Sequence, residues 1–397
     1  MIKILFMLND LHGGGQEKAI VSLLSELSKK KEYELTLLLM RKQGVFLEDV
    51  PPSVQIKEVA VSESIIDSSL LSSKARLKKA ISHGKIKDMI LILHEYLRHR
   101  NKSISDIMLE AWQRYDKMIP MYPEEYDIAI DYQGQGTFPT YYIARKVKAK
   151  KKYSWVHNDF SIVLDDMSWM GDCYAAYDKI LSVSEKAKLA FADKFPDFQD
   201  KAAVCYNVMN KQEILEYAKK TMVAPKEGIN IVTVGRLSYQ KGYDIAFQAI
   251  KLLKDTQKRI TYWVVGNGED EESLKALAEH LGIMDMVCFA GFQKNPYPYM
   301  QMADIYLQPS RSEGFCLTLG EAKVLNKAIV TTDFAGASEQ ITHGVNGSIT
   351  TCDAEAIYNE LKHLIEHPEV ADKYRFSLQS QQGVDRGFVQ FTTLVKE

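Results

Sequence analysis

The sequence predicts an α/β protein of two domains, each built on a parallel β-sheet, and three observations support this class. The chain has 397 residues, which is too long for one ordinary hydrophobic core and fits two domains of roughly 180 to 200 residues. Short apolar runs alternate with helical stretches in two series, one from Ile2 and one from Ile229, as in parallel sheets. A net charge of −2 with 46% hydrophobic residues excludes a disordered chain and bulk nucleic-acid binding.

The first series begins with a buried strand, Ile2–Leu8, followed by a loop with Gly13, Gly14 and Gly15 and then a helix from Gln16. Three consecutive glycines allow the backbone to approach a ligand closely. They lack the G-x-G-x-x-G spacing of a dinucleotide site and the G-K-S/T ending of a P-loop, so a plain flexible turn remains the alternative. The further strands predicted in this series are 33–40, 54–60, 127–131, 153–156, 179–183 and 203–206.

Residues 64–120 interrupt this alternation with helical sequence. Between residues 74 and 102, nine basic residues stand against two acidic ones, so the segment carries +7 and the rest of the chain −9. Apolar residues recur there at mostly three- and four-residue spacings, which predicts amphipathic helices. Such a segment can make a peripheral contact with an anionic membrane or hold an anionic, lipid-linked substrate. The alternative is a helical layer whose charges are simply solvated.

His157 follows the predicted strand 153–156 directly. It therefore lies at the carboxyl end of a strand, where open α/β sheets bind ligands. This position predicts a site role for His157, with an ordinary structural histidine as the alternative.

In the second series, each predicted strand is followed by a glycine-containing loop. Ile229–Val234 leads to Gly235, Arg236 and Lys241, and Ile260–Val265 leads to Gly266. A guanidinium binds phosphate with two parallel hydrogen bonds, and an ammonium adds a mobile point charge. Two such cations offset the charge of about −2 on a sugar diphosphate; the alternative is a pair of solvated surface cations.

Residues 303–323 combine a strand at 304–308, a tight loop and a helix with Thr318 as its predicted N-cap. A helix N-terminus at the carboxyl edge of a sheet is a natural phosphate site. Glu313 and Glu321 flank the loop, and since they would repel phosphate we expect them to bind sugar or ribose hydroxyls. The stretch therefore predicts a nucleotide-sugar site, although two solvated surface acids would give the same spacing.

Several classes of protein are disfavoured. The five cysteines are scattered without a C-x-x-C, which favours reduced, cytoplasmic thiols over disulfides or zinc. No apolar run reaches the roughly 18 to 20 residues of a spanning helix, and the first ten residues do not resemble a signal peptide. No D-x-D, the pair of acids that can bridge a metal ion to a diphosphate, occurs in the sequence, so we expect no metal. We expect no other cofactor either.

Taken in order, these motifs resemble the retaining glycosyltransferases of family 4, the glycosyl transferases group 1, over nearly the whole chain. The resemblance rests on the three-glycine loop, His157, the block 235–242, Gly266-x-Gly268 and Glu313-x7-Glu321. It implies the GT-B fold, in which two Rossmann-like, doubly wound domains face each other across a cleft. The implied domains are an acceptor-side domain at 1–207 with the helical insertion 64–120, a nucleotide-sugar domain at 208–378, and a segment 379–397 that returns to the first domain.

The resemblance also implies roles for individual residues. Arg236 and Lys241 would bind the donor diphosphate, and Glu321 would take the ribose hydroxyls. Glu313 and the backbone of 314–317 would hold the donor sugar, while His157 faces the reacting centre with two of the glycines. The implied catalytic residues are Glu313, Arg236, Lys241 and His157. The implied donor-binding residues are Gly14, Gly15, Gly235, Gly266, Gly291, Phe292, Gly314, Phe315, Cys316, Leu317 and Glu321.

The function expected is transfer of a sugar from a nucleotide diphosphate sugar, with UDP as the commonest base in the family, to a hydroxyl of a surface glycan or lipid-linked oligosaccharide. Retention at the anomeric carbon, a cytoplasmic location at the inner face of the membrane and no nucleic-acid partner are expected with it. Two alternatives stay open: a nucleotide-sugar epimerase or hydrolase on the same fold, and a non-catalytic partner that binds nucleotide sugar beside another transferase.

Overall fold

The computed structural model describes residues 1–61, 116–134, 136–157, 170–254, 258–380 and 385–397, together with positions 78, 81, 82, 89, 160 and 256. The predicted insertion 64–120, and with it the predicted membrane or acceptor contact of 74–102, lies almost entirely outside the described residues.

The chain divides into two compact units. The first unit contains Met1–His12, Leu24–Ser182 and Lys188–Val204, and the second unit contains Gly13–Leu23, Val183–Ala187 and Cys205–Glu397. The change of unit after Val204 lies close to the predicted boundary at 207/208. The short segment Gly13–Leu23, which is assigned to the second unit, contains the three-glycine loop, and the sequence did not indicate this assignment.

The first unit is built on a seven-stranded sheet. Its strands are β1 (Ile2–Leu8), β2 (Tyr33–Leu39), β3 (Gln55–Glu58), β4 (Glu125–Asp131), β5 (Lys148–Val156), β6 (Lys179–Ser182) and β7 (Ala202–Val204). The helices that begin in this part of the chain are α1 (Gly15–Ser28), α2 (Phe138–Lys146), α3 (Gly171–Tyr174) and α4 (Glu185–Lys194). The strand order is β3-β2-β1-β4-β5-β6-β7, and every pair is parallel.

β5 begins at Lys148, earlier than the predicted strand 153–156, and so takes up a run of lysines. Lys148 Nζ lies 3.1 Å from Glu125 Oε1, and Lys150 Nζ lies 2.7 Å from Asp127 Oδ1. Both acids belong to the neighbouring strand β4, so cross-strand charge pairs support lysines that an apolar-run criterion excludes from a strand.

The second unit is built on a six-stranded sheet. Its strands are β8 (Ile229–Val234), β9 (Ile260–Val265), β10 (Val287–Gly291), β11 (Ile305–Gln308), β12 (Ala328–Thr332) and β13 (Ser348–Thr350). Its helices are α5 (Lys211–Lys219), α6 (Tyr243–Leu253), α7 (Glu271–His280), α8 (Tyr297–Met302), α9 (Leu317–Val324), α10 (Ala337–Gln340), α11 (Ala354–Glu366), α12 (Pro368–Ser380) and α13 (Arg386–Lys396). The order β10-β9-β8-β11-β12-β13 is again parallel throughout.

Both sheets have a topological switch point, where the direction of strand succession reverses. In the first unit it lies between β1 and β4, and in the second unit between β8 and β11. Loops at the carboxyl ends of the strands beside such a point diverge and leave a crevice in which α/β proteins bind ligands. The predicted α/β class with two parallel sheets is confirmed, and the loops after β8 and β11 flank the crevice of the second sheet.

The end of the chain is held within the second unit. Asp385 caps α13 by accepting from Phe388 N at 2.9 Å, and it also accepts from Met209 N at 2.9 Å. A Cβ on Gly387 would lie 2.2 Å from Tyr206 O, so α13 packs against the 205–209 segment as closely as only glycine allows. The predicted return of 379–397 to the first domain stays a prediction. Among the described residues, no helix has the length and apolar character that crossing a membrane requires.

Candidate nucleotide-sugar site

Two loops of the second unit, 235–242 after β8 and 309–316 after β11, are referred to here as the switch loops. Arg311 N donates to Gln240 O at 2.8 Å, and Gln240 Nε2 donates to Ser312 O at 2.8 Å. Gly242 has φ +67°, and a Cβ there would lie 2.0 Å from Pro309 O. Only glycine fits this position, and the two loops are therefore locked together through their backbones.

Arg311 adds a side-chain clamp to the same pair of loops. Its two guanidinium nitrogens donate to the two carboxylate oxygens of Asp244 at 2.7 Å each, and Nη1 also donates to Tyr239 O at 2.7 Å. The guanidinium carbon lies 3.8 Å from the centre of the Tyr239 ring. Bidentate pairing and stacking together fix the orientation of an arginine, so Arg311 holds the short 3-10 turn Tyr239–Lys241 in place.

The turn that Arg311 holds places Lys241 beside Glu313. Lys241 Nζ lies 2.5 Å from Glu313 Oε1, with 20% of the lysine side chain and 10% of the glutamate side chain exposed. The same oxygen accepts from Ser310 Oγ at 2.8 Å, which in turn accepts from Gln308 Nε2 at 2.7 Å. Burial is the largest influence on the pKa of Lys241 and lowers it, but the charge of Glu313, its hydrogen bond and the nearby Cys316 together outweigh burial and hold that pKa above its ordinary value, so the ammonium stays charged.

Arg236 completes the cationic part of the site. It is exposed at the carboxyl end of β8, and its charge acts on Lys241 by opposing protonation of that amine. The structure therefore brings Arg236, Lys241 and Glu313 together, as the sequence predicted for two cations beside an acid.

Helix α9 begins two residues earlier than expected, and the prediction of Thr318 as its N-cap is wrong. The N-cap is Cys316, with a left-handed backbone at φ +66°, while Thr318 Oγ1 donates to Gln308 Oε1 at 3.2 Å. The threonine hydroxyl is thus used to tie the helix to β11. Burial raises the pKa of Cys316 to about 12, so its thiol is protonated at neutral pH.

The carbonyls of the loop before α9 are bound by protein donors. Gly314 O accepts from Ser184 Oγ at 2.8 Å, and Phe315 O accepts from Gln340 Nε2. The first N–H groups of α9, from Leu317 onward, have no intrahelical acceptors. This is the polarity that an anionic ligand at the helix start requires.

Glu321 lies on α9 and has partners that the sequence did not indicate. The residue is 4% exposed, and its Oε1 accepts from Lys18 Nζ at 2.9 Å and from Tyr297 Oη at 3.1 Å. Burial raises the pKa of Tyr297 well above its ordinary value, so the phenol keeps its proton and acts as donor. Among the described residues, Glu321 Oε2 has no hydrogen-bond partner although it is buried.

The predicted donor-binding glycines mark the edge of the sheet. Gly235 N donates to Val265 O at 3.0 Å, and Gly266 N donates to Gly291 O at 2.9 Å, so these glycines cross the carboxyl ends of β8, β9 and β10. Phe292 follows them and is 42% exposed. Of the first glycine loop, Gly14 and Gly15 both belong to the second unit, and a Cβ on Gly15 would lie 3.4 Å from Leu317 Cδ1.

His157 belongs to the first unit, at the carboxyl end of β5 as predicted. Its ring lies 4.6 Å from the Tyr132 ring and 6.0 Å from the Trp155 ring, centre to centre. Burial lowers its pKa to about 3, so the imidazole is neutral at physiological pH. It can exchange hydrogen bonds with a ligand but brings no positive charge.

Sequence reasoning missed Lys18, Tyr297, Ser310 and Arg311. Ser310 and Arg311 stand within three residues of Glu313 in the loop already singled out, so their position was a usable signal. Lys18 lies in the first turn of α1, just after the three glycines, and gave only a weak one. The described residues contain no group of three histidines, cysteines or acids able to hold a metal ion.

Comparison with known proteins identifies part of this unit. Residues 216–377 match the family model for glycosyl transferases group 1, and the switch loops, Glu313 and Glu321 all fall inside that range. Over residues 216–377 the second unit is therefore similar to the glycosyl transferases group 1 domain.

Curated relatives match this chain over part of their own length. An uncharacterized glycosyltransferase of Haemophilus influenzae is 28% identical over 247 residues, which cover 59% of this chain and 67% of the relative. The N-acetylgalactosamine-N,N'-diacetylbacillosaminyl-diphospho-undecaprenol 4-alpha-N-acetylgalactosaminyltransferase of Campylobacter jejuni is 28% identical over 204 residues, covering 51% of this chain and 54% of the relative. An O-antigen biosynthesis glycosyltransferase of Escherichia coli is matched over 44% of its own length.

Solved structures resemble the whole chain in fold. Anabaena HepE in complex with UDP has a TM-score of 0.68 at 16% identity, with 100% of this chain and 98% of that chain covered. Sucrose-phosphate synthase from Thermosynechococcus elongatus has a TM-score of 0.71 at 13% identity, with the same coverage. At such identities the likeness shows the fold alone, which is that of the GT-B glycosyltransferases, as expected from the sequence.

Proposed function

We propose that this chain is a retaining glycosyltransferase of family 4 that transfers a sugar from a UDP-sugar to a hydroxyl of a surface glycan or lipid-linked oligosaccharide. The observation that carries the proposal is the cluster of Arg236, Lys241 and Glu313 at the switch point between β8 and β11, inside the group 1 domain. The UDP bound by HepE and the diphospho-undecaprenol in the name of the Campylobacter jejuni relative support this choice of donor and acceptor.

Charges divide the site into two parts with different tasks. Arg236 and Lys241 provide the positive charge that offsets a diphosphate, and the amino end of α9 adds N–H donors of the same polarity. Lys241 already contacts Glu313, but an ammonium has three protons and can donate to a phosphate oxygen as well. Glu313 and Glu321 are acceptors when ionised and so bind hydroxyls of the donor sugar and of the ribose.

In the proposed reaction, the bond between the anomeric carbon and the diphosphate oxygen breaks, and the acceptor oxygen bonds to that carbon from the same face. The proton of the acceptor hydroxyl passes to the leaving diphosphate. The protein then acts by positioning the reactants and by stabilising the charge that grows on the leaving group. His157, which is neutral, contributes only hydrogen bonds.

The first test is a thermal-shift panel of UDP-, GDP-, ADP- and CMP-linked sugars on the full chain. A ligand at about 100 times its Kd adds about 2.7 kcal/mol to the free energy of unfolding, which is a measurable shift in Tm. We expect a UDP-sugar to give the largest shift. A response to none of these donors would contradict the proposal.

The second test separates transfer from the two alternatives. With donor and membrane-extracted lipid-linked glycan, we expect a glycosylated lipid whose anomeric configuration, read by NMR, matches that of the donor. An epimerase or hydrolase converts donor fully without acceptor, and a non-catalytic partner converts none. Glu313→Gln should abolish transfer, while Glu272→Gln, a variant of a glutamate whose side chain is 89% exposed on α7, should leave it unchanged.

A further inference from the structure

The carboxylate of Glu321 is used on one side only. Lys18 Nζ at 2.9 Å and Tyr297 Oη at 3.1 Å both point to Oε1. Lys18 Nζ also lies 4.1 Å from the centre of the Tyr297 ring, so ammonium, phenol and carboxylate form one compact group. All three residues belong to the second unit.

The other oxygen, Oε2, is buried and has no donor among the described residues. A buried carboxylate oxygen without a hydrogen bond is costly, because desolvation is not compensated. Native proteins rarely keep such an atom without reason, and a ligand that completes the hydrogen bond is one of the usual reasons. Glu321 Oε2 is therefore an acceptor that a hydroxyl donor would satisfy.

Lys18 makes this arrangement possible by providing the countercharge. The glutamate side chain is 5% exposed and that of Lys18 is 24% exposed, so the pair is shielded from water and an unpaired carboxylate would be strongly disfavoured. The ammonium reaches Glu321 because α1 starts close to α9, with a Cβ on Gly15 only 3.4 Å from Leu317 Cδ1. The three-glycine loop, which leads into α1, thus also brings Lys18 to Glu321.

We propose that Lys18 is a positioning residue for recognition of the donor ribose. By donating to Oε1 together with Tyr297, it supplies the countercharge of Glu321 and fixes its rotamer so that Oε2 alone accepts one ribose hydroxyl. The inference rests on the proposed function, because it takes the ligand at Glu321 to be a nucleoside diphosphate. It predicts that loss of one particular ribose hydroxyl weakens binding because Glu321 loses a hydrogen bond, and that the size of this effect depends on Lys18.

The test measures Kd by calorimetry for UDP, GDP and ADP on the full chain, and then for the 2′-deoxy and 3′-deoxy forms of the tightest binder. We expect the wild type to bind one deoxy form about 10- to 100-fold more weakly, as for loss of a hydrogen bond to a charged group. The quantity compared between variants is the ribose ratio, the Kd of that deoxy form divided by the Kd of the parent nucleotide. Lys18→Met should bring the ribose ratio close to its value in Glu321→Gln, and the double variant should show no further change. Lys18→Arg, which keeps a charged donor, should preserve most of the ratio.

Lys29→Met is the matched control, because Lys29 forms an exposed pair with Glu26 just beyond the end of α1. It should leave the ribose ratio at the wild-type value. The ribose ratio is informative because general destabilisation of the protein weakens the binding of the parent nucleotide and of its deoxy forms alike. If Lys18→Met does not fold, Lys18→Gln and Tyr297→Phe replace it, with the same expectation of a reduced ratio.

The outcomes separate the two proposals. A wild-type ratio retained in Lys18→Met, or in its replacements, overturns the role of Lys18 while leaving the proposed function intact. A wild-type chain that binds nucleotide but loses no affinity for either deoxy form also overturns it. A wild-type chain that binds none of the three nucleotides overturns the proposed function, and this inference with it.

Discussion

Lys241 and Glu313 are joined across the two switch loops by an ion pair of 2.5 Å, and Ser310 Oγ donates to the same carboxylate oxygen at 2.8 Å. The pair links the loop after β8 to the loop after β11, the two strands that flank the switch point. The residue proposed to hold phosphate thus also neutralises the residue proposed to hold the sugar.

Lys241→Met is expected to lower the free energy of unfolding by about 3 to 5 kcal/mol, since it leaves Glu313 largely buried without its counterion. Adding Glu313→Gln should restore part of that loss, because the uncompensated charge is removed as well. Urea unfolding of both single variants and the double variant measures the coupling. Losses that simply add would contradict a direct interaction.

Lys275→Met is the control for that cycle. Its ammonium pairs with Glu271 and Glu272 on an open face of α7, and exposed pairs contribute only about 0 to 1 kcal/mol. A loss as large as that of Lys241→Met would mean that any lysine removal destabilises this unit.

Arg236→Ala is expected to lower kcat/KM by about 10²-fold or more, because a charge that stabilises the leaving diphosphate is lost. Steady-state kinetics with the donor found in the panel measures this. Arg259→Ala is the matched variant, since Arg259 is 75% exposed and pairs with Glu227, and it should turn over at the wild-type rate. Unchanged turnover in Arg236→Ala would remove Arg236 from the site.

Arg311→Met is expected to raise KM for the donor by about 10-fold, a loss of about 1.4 kcal/mol, because the Tyr239–Lys241 turn loses its bidentate anchor to Asp244. Arg311→Lys should not rescue the loss, since an ammonium cannot make two parallel hydrogen bonds while stacking on Tyr239. Kinetics of Arg311→Met, Arg311→Lys and Asp244→Asn should show the same pattern. Full activity in Arg311→Lys would show that charge alone is enough.

The pH dependence of stability should carry a contribution from His157. Its folded pKa of about 3 lies below the ordinary value of about 6.5, so the unfolded chain binds more protons between these values. The contribution of the neutral imidazole to the free energy of unfolding is therefore complete above pH 6.5. It is lost as the pH falls towards 3, by about 1.4 kcal/mol per pH unit. Urea unfolding at pH 5 and 7.5 should show a smaller difference for His157→Gln than for the wild type.

His367→Gln tests whether that effect belongs to burial. His367 is 51% exposed, so this variant removes a histidine without touching the surroundings of His157, and a change of slope as large as that of His157→Gln would mean that loss of any histidine alters it. A slope in His157→Gln equal to the wild-type slope would contradict the buried, neutral state of His157.

Excess EDTA is expected to leave the rate of sugar transfer unchanged. Arg236 and Lys241 already supply about +2 beside the expected diphosphate, and the sequence has no D-x-D with which metal-dependent transferases bridge it. The measurement is the initial rate before and after chelation and dialysis. A loss that Mg²⁺ or Mn²⁺ restores would contradict the prediction.

Much of the fold could be predicted because its signals are local. Apolar runs that end in glycine, proline or polar residues marked β1, β8 and β9 with the observed bounds, and alternation with helices implied parallel sheets. The location of the site followed, since the carboxyl ends of parallel strands share one edge. The start of β5 did not follow, because its lysines depend on acids of another strand.

The pairings inside the site could not be predicted for a related reason. Lys241 and Glu313 lie 72 residues apart in sequence, and each was assigned its own ligand because spacing says nothing about which side chains meet. The left-handed backbone at Cys316 was not predicted either, since cysteine is not among the residue types enriched in that conformation. Lys18 was missed because a lysine in the first turn of a helix looks like an ordinary surface charge.

The close fit of Gly387 against Tyr206 O, with the Asp385 cap beside it, has a consequence for shortened forms of this protein. Phe391, Leu394 and Val395 are buried on the inner side of α13. A nonsense codon or a proteolytic cut just ahead of this helix would remove these apolar side chains and expose the surface that they cover. Such a product would be prone to aggregate, so loss of the last helix should register first as poor recovery of the protein from cells.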